Sequence, residues 1–329
     1  MTPRFVAGAP GVPAGPYDAD VVILALDRAE ETEQAIASAL AQRGVARHVT
    51  VLDQGSHPPA LARLARCVAG RGDASLWALA ENLGVAGGRN AATALGHGRV
   101  IAGLDNDAEF AGPATLAGAV AALDRDPGLG AIGLRIVAYD GGRDDPSSWG
   151  YPRALLPRAG GSFGTVTFVG AGHAIRRAAW DAAGGYDPAL FFCWEEYDFC
   201  LRAIAQGWRI GYRGDLVVRH KVAAERRLAW SGERWFLFVR NRIHIARKWG
   251  ASWPALVPRI AGYLVKGARA GLLAQTWRAI RAAAAMEPAG APRPLPVAAA
   301  DYLRRHDGAY RGSPLRRLRQ EVMAPPGGA

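Results

Sequence analysis

The chain has 329 residues, half of them hydrophobic and 21% charged, with a formal net charge of +11. That balance is the one folded globular proteins show, so wholesale disorder is excluded. Three cysteines (Cys67, Cys193, Cys200) exclude a disulfide scaffold, and with no C-x-x-C pair nothing suggests a structural zinc.

Residues 1–19 are rich in Pro, Gly and Ala, without the apolar core of a secretory signal, and read as a flexible segment. Asp20–Leu26 is a continuous apolar run, as in a strand buried on both faces of a parallel sheet. A helix is expected over 30–43, with acids in its first turn where the helix dipole favours them. Strands follow at 49–52, 75–78 and 100–104, separated by helices at 58–70 and from Gly87 to Gly96. This rhythm predicts an α/β fold with a doubly wound, mostly parallel sheet. Ligands of such sheets bind beyond the carboxyl ends of the strands, where Asp27, Asp53, Asp105 and Asp107 fall. A helix over 113–126 and a strand over 131–137 come next. Residues 139–164 have too much Gly, Pro and Asp for regular structure, and a loop of that length suggests a lid. Then come a strand over 166–175, a short helix over 176–183, a helix opening near Glu195, strands at 208–212 and 216–220, and an aromatic, Arg-rich helix over 231–249.

The charge is unevenly placed. Residues 1–219 carry 20 Lys+Arg against 23 Asp+Glu, whereas residues 220–329 carry 20 against 6, a net of −3 against +14. The segment 250–287 therefore reads as a basic amphipathic extension able to lie on an anionic membrane surface. It has no run apolar enough to cross a bilayer, so the chain is expected in the cytoplasm, peripheral to the inner face of the membrane. Nucleic acid is not an expected partner, since no base-reading module accompanies the charge. Residues 288–329 read as a poorly ordered tail.

Four constellations carry chemistry. Asp105-Asn106-Asp107 at a strand end offers two carboxylates for a divalent ion and its diphosphate, although turns also use Asp freely. Glu195-Glu196-Tyr197-Asp198, beside Phe191, Phe192 and Trp194, puts carboxyl groups in surroundings that raise their pKa toward that of a general base. Gly84, Gly87 and Gly88 enter a helix carrying Arg89, an arrangement that lets backbone and guanidinium approach phosphate. It lacks the G-x-G-x-x-G of dinucleotide sites and follows the third strand rather than the first. His220 ends a strand and completes a metal site if that strand returns beside Asp107.

Taken in order, Val21–Arg28, Val51–Ser56, Asn82–Asn90, Leu104–Asp107, Gly170–Ala174 with Gly184–Asp187, Trp194–Arg202 with Gly207-Trp208, and Arg240-Asn241 resemble the family 2 glycosyltransferases of GT-A fold. The nearest likeness is to the bacterial rhamnosyltransferase-like branch that builds cell-surface polysaccharide. The resemblance covers 20–249 as the transferase domain. It implies a nucleotide-diphosphate sugar donor, a saccharide or lipid-linked acceptor, and a divalent metal, Mn or Mg. It also implies residue roles: Ala25, Leu26, Asp27 and Asp53 at the base and ribose, and Arg89, Asp105 and Asn106 at the nucleotide. Asp105, Asp107 and His220 would hold the metal. Glu196 would serve as catalytic base with Glu195 beside it, and Trp194 and Asp198 would lie at the acceptor pocket. The sequence departs from the pattern at Leu26, where an aromatic usually stacks on the base, and at Glu196, where the base is usually Asp. A nucleotidyltransferase, or a non-catalytic nucleotide-sugar or membrane-binding protein on the same fold, are the alternatives.

Overall fold

The computed structural model describes residues 2–140, 142–221, 232–287 and 293–313. The first apolar run becomes β2 (Ala19–Ala25), whose alternate side chains serve two cores. Val21, Ile23 and Ala25 pack with Ile36 and Ala39 of α1 (Ala29–Leu40), Leu64 and Val68 of α2 (Pro58–Val68) and Leu116 of α4 (Thr115–Arg125). Val22 faces the other way, toward α3 (Gly84–Thr93), α5 (Arg177–Ala183) and α6 (Glu195–Ala205). Each large aliphatic side chain so buried is worth about 1.5–3 kcal/mol, and the two faces together fix β2 as the central strand of a three-layer sandwich.

The sheet runs β1-β4-β3-β2-β5-β9-β7-β10-β6, with β8 also on β10. The parallel half is β4 (Ala74–Ala78), β3 (Arg47–Asp53), β2 and β5 (Val100–Leu104). Beyond β5, β9 (Gly172–Arg176) is antiparallel to both β5 and β7 (Leu129–Ala138), and β7 is parallel to β10 (Arg209–His220). The mixed α/β sheet is the expected fold, and its parallel strands carry the expected short connections.

Several elements differ from the sequence reading. Within the stretch expected to be flexible, β1 (Arg4–Gly8) pairs antiparallel with β4, and Phe5 meets Trp77 edge-on. A short strand, β6 (Ala108–Phe110), follows the acidic cluster and pairs with the end of β10. The two strands expected at 208–220 are one, because Arg213-Gly214-Asp215 forms a bulge rather than a turn. Gly214 fits there because its backbone runs against the Ala159 and Gly161 carbonyls, which a Cβ would strike. The strand expected over 166–175 is regular only from Gly172. Its first part leaves the sheet and runs along the strand ends, with Phe168 buried against His173.

The segment 139–164 is pinned rather than free. β8 (Ser162–Thr165) pairs with β10, and Trp149, Tyr151 and Phe163 cluster on Tyr212, with Phe163 stacked on it at 4.5 Å. Past β10, α7 (Gly232–Lys248), α8 (Trp253–Arg269) and α9 (Leu273–Ala285) share a separate core around Trp235, Val239, Ile243 and Tyr263.

Part of the tail expected to be poorly ordered is α10 (Val297–His306). It docks because Tyr302, buried among the residues under the sheet, accepts from the Ile210 amide at 3.0 Å and donates to the Ile210 carbonyl at 2.9 Å. Residues 288–292 and 314–329 lie outside the described residues. Tyr302→Phe strands both Ile210 groups without water, so it is expected to cost about 1–3 kcal/mol by urea unfolding; an unchanged midpoint would show that the helix docks by apolar contact alone.

Candidate functional site

Three strand ends and one helix start build the site. The chain leaves β5 at Leu104, passes Asp105-Asn106-Asp107 and enters β6, whose Ala108 stands opposite His220 on β10. That pairing, closed by the Lys221 amide donating to the Asp107 carbonyl at 2.9 Å, brings the end of β10 to the acidic cluster. His220 Nε2 lies 3.1 Å from Asp107 Oδ1, and its Nδ1 faces Ser148 Oγ at 3.4 Å. Ligand atoms of Asp105, Asp107 and His220 all lie within 4.8 Å of one another. Two carboxylate oxygens and an imidazole nitrogen are a donor set that suits Mn or Mg, so these residues fit the implied cation.

Asp107 is buried, which by itself would raise its pKa. The hydrogen bond and charge of His220, together with Arg28, win and hold the carboxyl at about 2. Arg28 Nη1 donates to Asp107 Oδ2 at 3.0 Å. Arg28 and Ser148 were missed as partners of this cluster. Nothing in the sequence connects a residue at the end of β2, or one in the 139–164 loop, to Asp107.

Arg89 was expected to face phosphates. It is instead only 3% exposed, and its guanidinium donates to the Val22 carbonyl at 2.8 Å, Asp105 Oδ1 at 2.9 Å and the Gly170 carbonyl at 3.4 Å. It braces Asp105 from beneath. The glycines before it serve protein packing too: a Cβ on Gly84 would strike Phe191, and one on Gly88 the Gln54 amide.

The rim at the ends of β2 and β3 is polar. Asp27 and Arg28 both hold left-handed backbone, at φ 51° and 48°. Asp27 donates its amide to Ser56 Oγ at 2.7 Å and accepts from the His57 amide at 3.0 Å. Asp53 Oδ2 accepts from the Gly55 and Ser56 amides, each at 3.1 Å, and its buried Oδ1 makes no hydrogen bond among the described residues. Ala25 closes β2 and is buried, Leu26 is exposed, and Asn106 donates to Thr32 Oγ1 at 3.3 Å.

Glu195 and Glu196 open α6. A Cβ on Gly170 would collide with Glu196 Oε1, so the absence of a side chain there lets this carboxyl lie against the residue whose carbonyl Arg89 reaches. Glu196 and the metal cluster thus share one edge of the sheet, with Arg89 between Asp105 and Gly170. Burial raises the Glu196 pKa to about 7, with the negative charge of Asp105 adding to the effect. Glu195 is buried, with Oε2 unpartnered among the described residues. Burial and then the neighbouring Glu196 push its pKa well up.

Trp194 donates its indole N–H to the Phe238 carbonyl at 3.0 Å and lies under the Arg242 guanidinium, so its ring sits between α6 and α7. Asp198 does not line a pocket. It is fully buried, accepting from Arg202 Nε at 2.9 Å and Lys248 Nζ at 2.8 Å, and Lys248 also holds Asp187. Two residues after Glu196 on a helix a side chain points elsewhere, here inward, and Asp198 braces α6 against α7.

Residues 20–182 match the profile of glycosyl transferase family 2. The chain carries a family 2 glycosyltransferase domain. No curated protein matches the chain in sequence. Among solved structures, the mannosyltransferase PcManGT from Pyrobaculum calidifontis, in complex with GDP-Man and Mn2+, is 22% identical with a TM-score of 0.57, over 97% of this chain and 87% of that one. GalNAc-T7 with UDP, GalNAc and Mn2+ is 17% identical with a TM-score of 0.60, over 76% of this chain; the match spans about half (52%) of that chain. S. aureus TarS 1-349 is 14% identical at a TM-score of 0.50, over 80% of this chain and 90% of that one. At such identities the likeness establishes the GT-A fold.

In this glycosyltransferase domain the charge of Asp105 reaches Glu196 through space. Asp105→Asn removes a negative charge beside Glu196, so the Glu196 carboxyl is expected to titrate below its value of about 7. Carboxyl-carbon NMR of the two proteins checks this; an unmoved or raised midpoint would show that Asp105 and Glu196 do not share an edge.

Proposed function

We propose that the chain moves a sugar from a nucleotide-diphosphate sugar to a hydroxyl acceptor with inversion at the anomeric carbon, in cell-surface polysaccharide or glycolipid synthesis. The observation that carries the reading is the convergence of Asp105, Asp107 and His220 within 4.8 Å on the same edge as Glu196. Two structural neighbours bound Mn2+, one with GDP-Man and the other with UDP and GalNAc, and the donor set here fits such an ion.

When bound, a divalent cation supplies the positive charge that offsets the diphosphate leaving group. Asp105, Asp107 and His220 would hold it, and Asn106 would lie beside the diphosphate. Ala25, Leu26, Asp27 and Asp53 hold the base and ribose at the ends of β2 and β3. Asp53 is the acceptor for a base N–H. Glu196 takes the proton of the acceptor hydroxyl, and a pKa near 7 leaves it both ionised and basic enough to do so. Burial pushes the pKa of Glu195 at its side well up, which disfavours two adjacent buried charges. Trp194 stands at the start of α6, where the acceptor enters.

Incubation with GDP-mannose, UDP-N-acetylgalactosamine, UDP-glucose and dTDP-rhamnose, each with Mn2+, tests the reading by release of nucleoside diphosphate. One of them is expected to be cleaved, and Glu196→Gln to lower turnover about 10²–10⁴-fold while donor affinity by calorimetry stays as it was. An active Glu196→Gln enzyme with an inactive Glu195→Gln would transfer the role to Glu195. Release of pyrophosphate from a nucleoside triphosphate would replace the reading with nucleotidyl transfer.

The second part of the reading concerns residues 250–285, which hold five Lys or Arg and no acid. Pro254, Val257, Pro258, Ala261, Val265 and Ala268 recur at helical spacing and are exposed along α8, and Trp277 of α9 is 52% exposed. Such a surface suits an anionic bilayer, with apolar side chains at the acyl boundary and cations at the phosphates, and would bring the site to a lipid-linked acceptor. Among the described residues no helix is long and apolar enough to cross a membrane. The protein is expected to float with phosphatidylglycerol vesicles in a salt-sensitive way, and Val257→Asp with Val265→Asp to abolish this. Equal flotation of the double variant would reject the surface.

A further inference from the structure

The pair Arg240-Asn241, on α7, has no part in the chemistry described so far, yet it holds the stretch that launches the two glutamates. Among the described residues, five other than glycine have positive φ: Asp27 and Arg28 at the donor rim, and Phe191, Cys193 and Trp194 just before Glu195. Phe191 sits at φ 62° and ψ −61°, the rare γ-turn geometry, with the Phe192 amide donating to the Leu190 carbonyl at 2.7 Å. Cys193 and Trp194 follow at φ 72° and 74°. Side chains other than glycine disfavour all three conformations, so neighbouring structure must hold them.

These turns point the carbonyls of residues 190, 192 and 193 at one place, and Asn241 stands there. Its Nδ2 reaches the Leu190 carbonyl at 2.8 Å and the Phe192 and Cys193 carbonyls at 2.9 Å each. Its Oδ1 accepts from Arg240 Nε at 2.9 Å. The amide orientation is therefore unambiguous, since the flipped form would set an oxygen against three carbonyls. Asn241 is fully buried. Arg240 Nη2 adds bonds to the Ala189 and Leu190 carbonyls at 2.9 and 3.0 Å. The remaining carbonyl, of Phe191, accepts from the Ala86 amide at 3.2 Å, and Gly84 lies against the same residue.

We propose that Asn241 is a positioning residue for transfer: it locks residues 190–194 in their disfavoured backbone and so sets where Glu195 and Glu196 stand relative to Asp105. This rests on the transferase reading above. Asn241→Asp keeps the volume but turns a carboxylate toward three carbonyls. Arg240→Gln is the milder variant, removing bonds from the outer side of the same stretch, should the first not fold.

Two readouts on the full chain decide the matter: nucleoside diphosphate release from whichever of the four donors the wild type cleaves, and amide hydrogen exchange. The expected result for Asn241→Asp is a fall of about 10–100-fold in kcat with donor KM within about two-fold. Faster exchange over 191–196 is expected with it, and unchanged exchange in β2–β5. Arg240→Gln is expected to shift the same quantities in the same directions by less. Unchanged kcat, or a donor KM that rises in step with the fall in kcat, overturns the proposal. If the wild type cleaves no donor, the transferase reading fails on its own. The clamp is then judged by exchange, and unchanged exchange over 191–196 in the variants overturns it.

Discussion

Carboxylates repel one another, and this fold gathers four of them at one end of a sheet. What lets it do so is the buried guanidinium of Arg89, which ties the centre of β2, the first acid after β5 and the carbonyl of Gly170 into one unit. A charge that deep is tolerable only when paired and hydrogen-bonded. Arg89 therefore works from below the site. It leaves Asp105, which is partly exposed, oriented toward the edge where a cation and a diphosphate would lie.

The second constraint is geometric. Asp107 and His220 are 113 residues apart, and a three-residue strand, β6, is what brings the end of β10 to Asp107. The same edge carries the disfavoured backbone: Asp27 and Arg28 on one side, Phe191, Cys193 and Trp194 on the other. Each such residue costs about 1–3 kcal/mol and persists because its surroundings over-determine it. At residues 190–193 those surroundings include Asn241, its neighbour Arg240 and the Ala86 amide. The helix that carries Asn241 and Arg240 thereby sets the shape of that part of the edge.

That division gives α7 two duties. One face clamps the approach to α6, and another shares a core with α8 and α9, so the basic extension is coupled to the site through one rigid element. The outward face of α8 is apolar and exposed among the described residues. The burial of Asp198 with Lys248 and Arg202 strengthens the same joint and keeps a third carboxyl near Glu196 paired inside the protein.

Local pattern was enough for the parallel strands, the helices between them and the acids at their ends, because apolar runs, helical spacing and strand-end carboxylates are written in consecutive residues. The Asp105–Asp107 and Glu195–Glu196 pairs stood out for the same reason, whereas His220 depended on where its strand returns. Three kinds of feature were not. Whether Arg89 faces a ligand or the core depends on what crosses beneath Asp105, and Gly103, against which both Arg89 and His173 pack, gives no such signal in sequence. Whether Asp198 lines a pocket depends on which neighbour its helix face meets, and Lys248 lies 50 residues away. The tail's composition suggested disorder, yet one tyrosine finding both backbone groups of Ile210 was enough to dock a helix. Sequence alone determined which residues have the chemistry to act; only the tertiary structure decided which of them act together. Contacts between distant segments are set by the packing of whole elements, and no short stretch of chain encodes them.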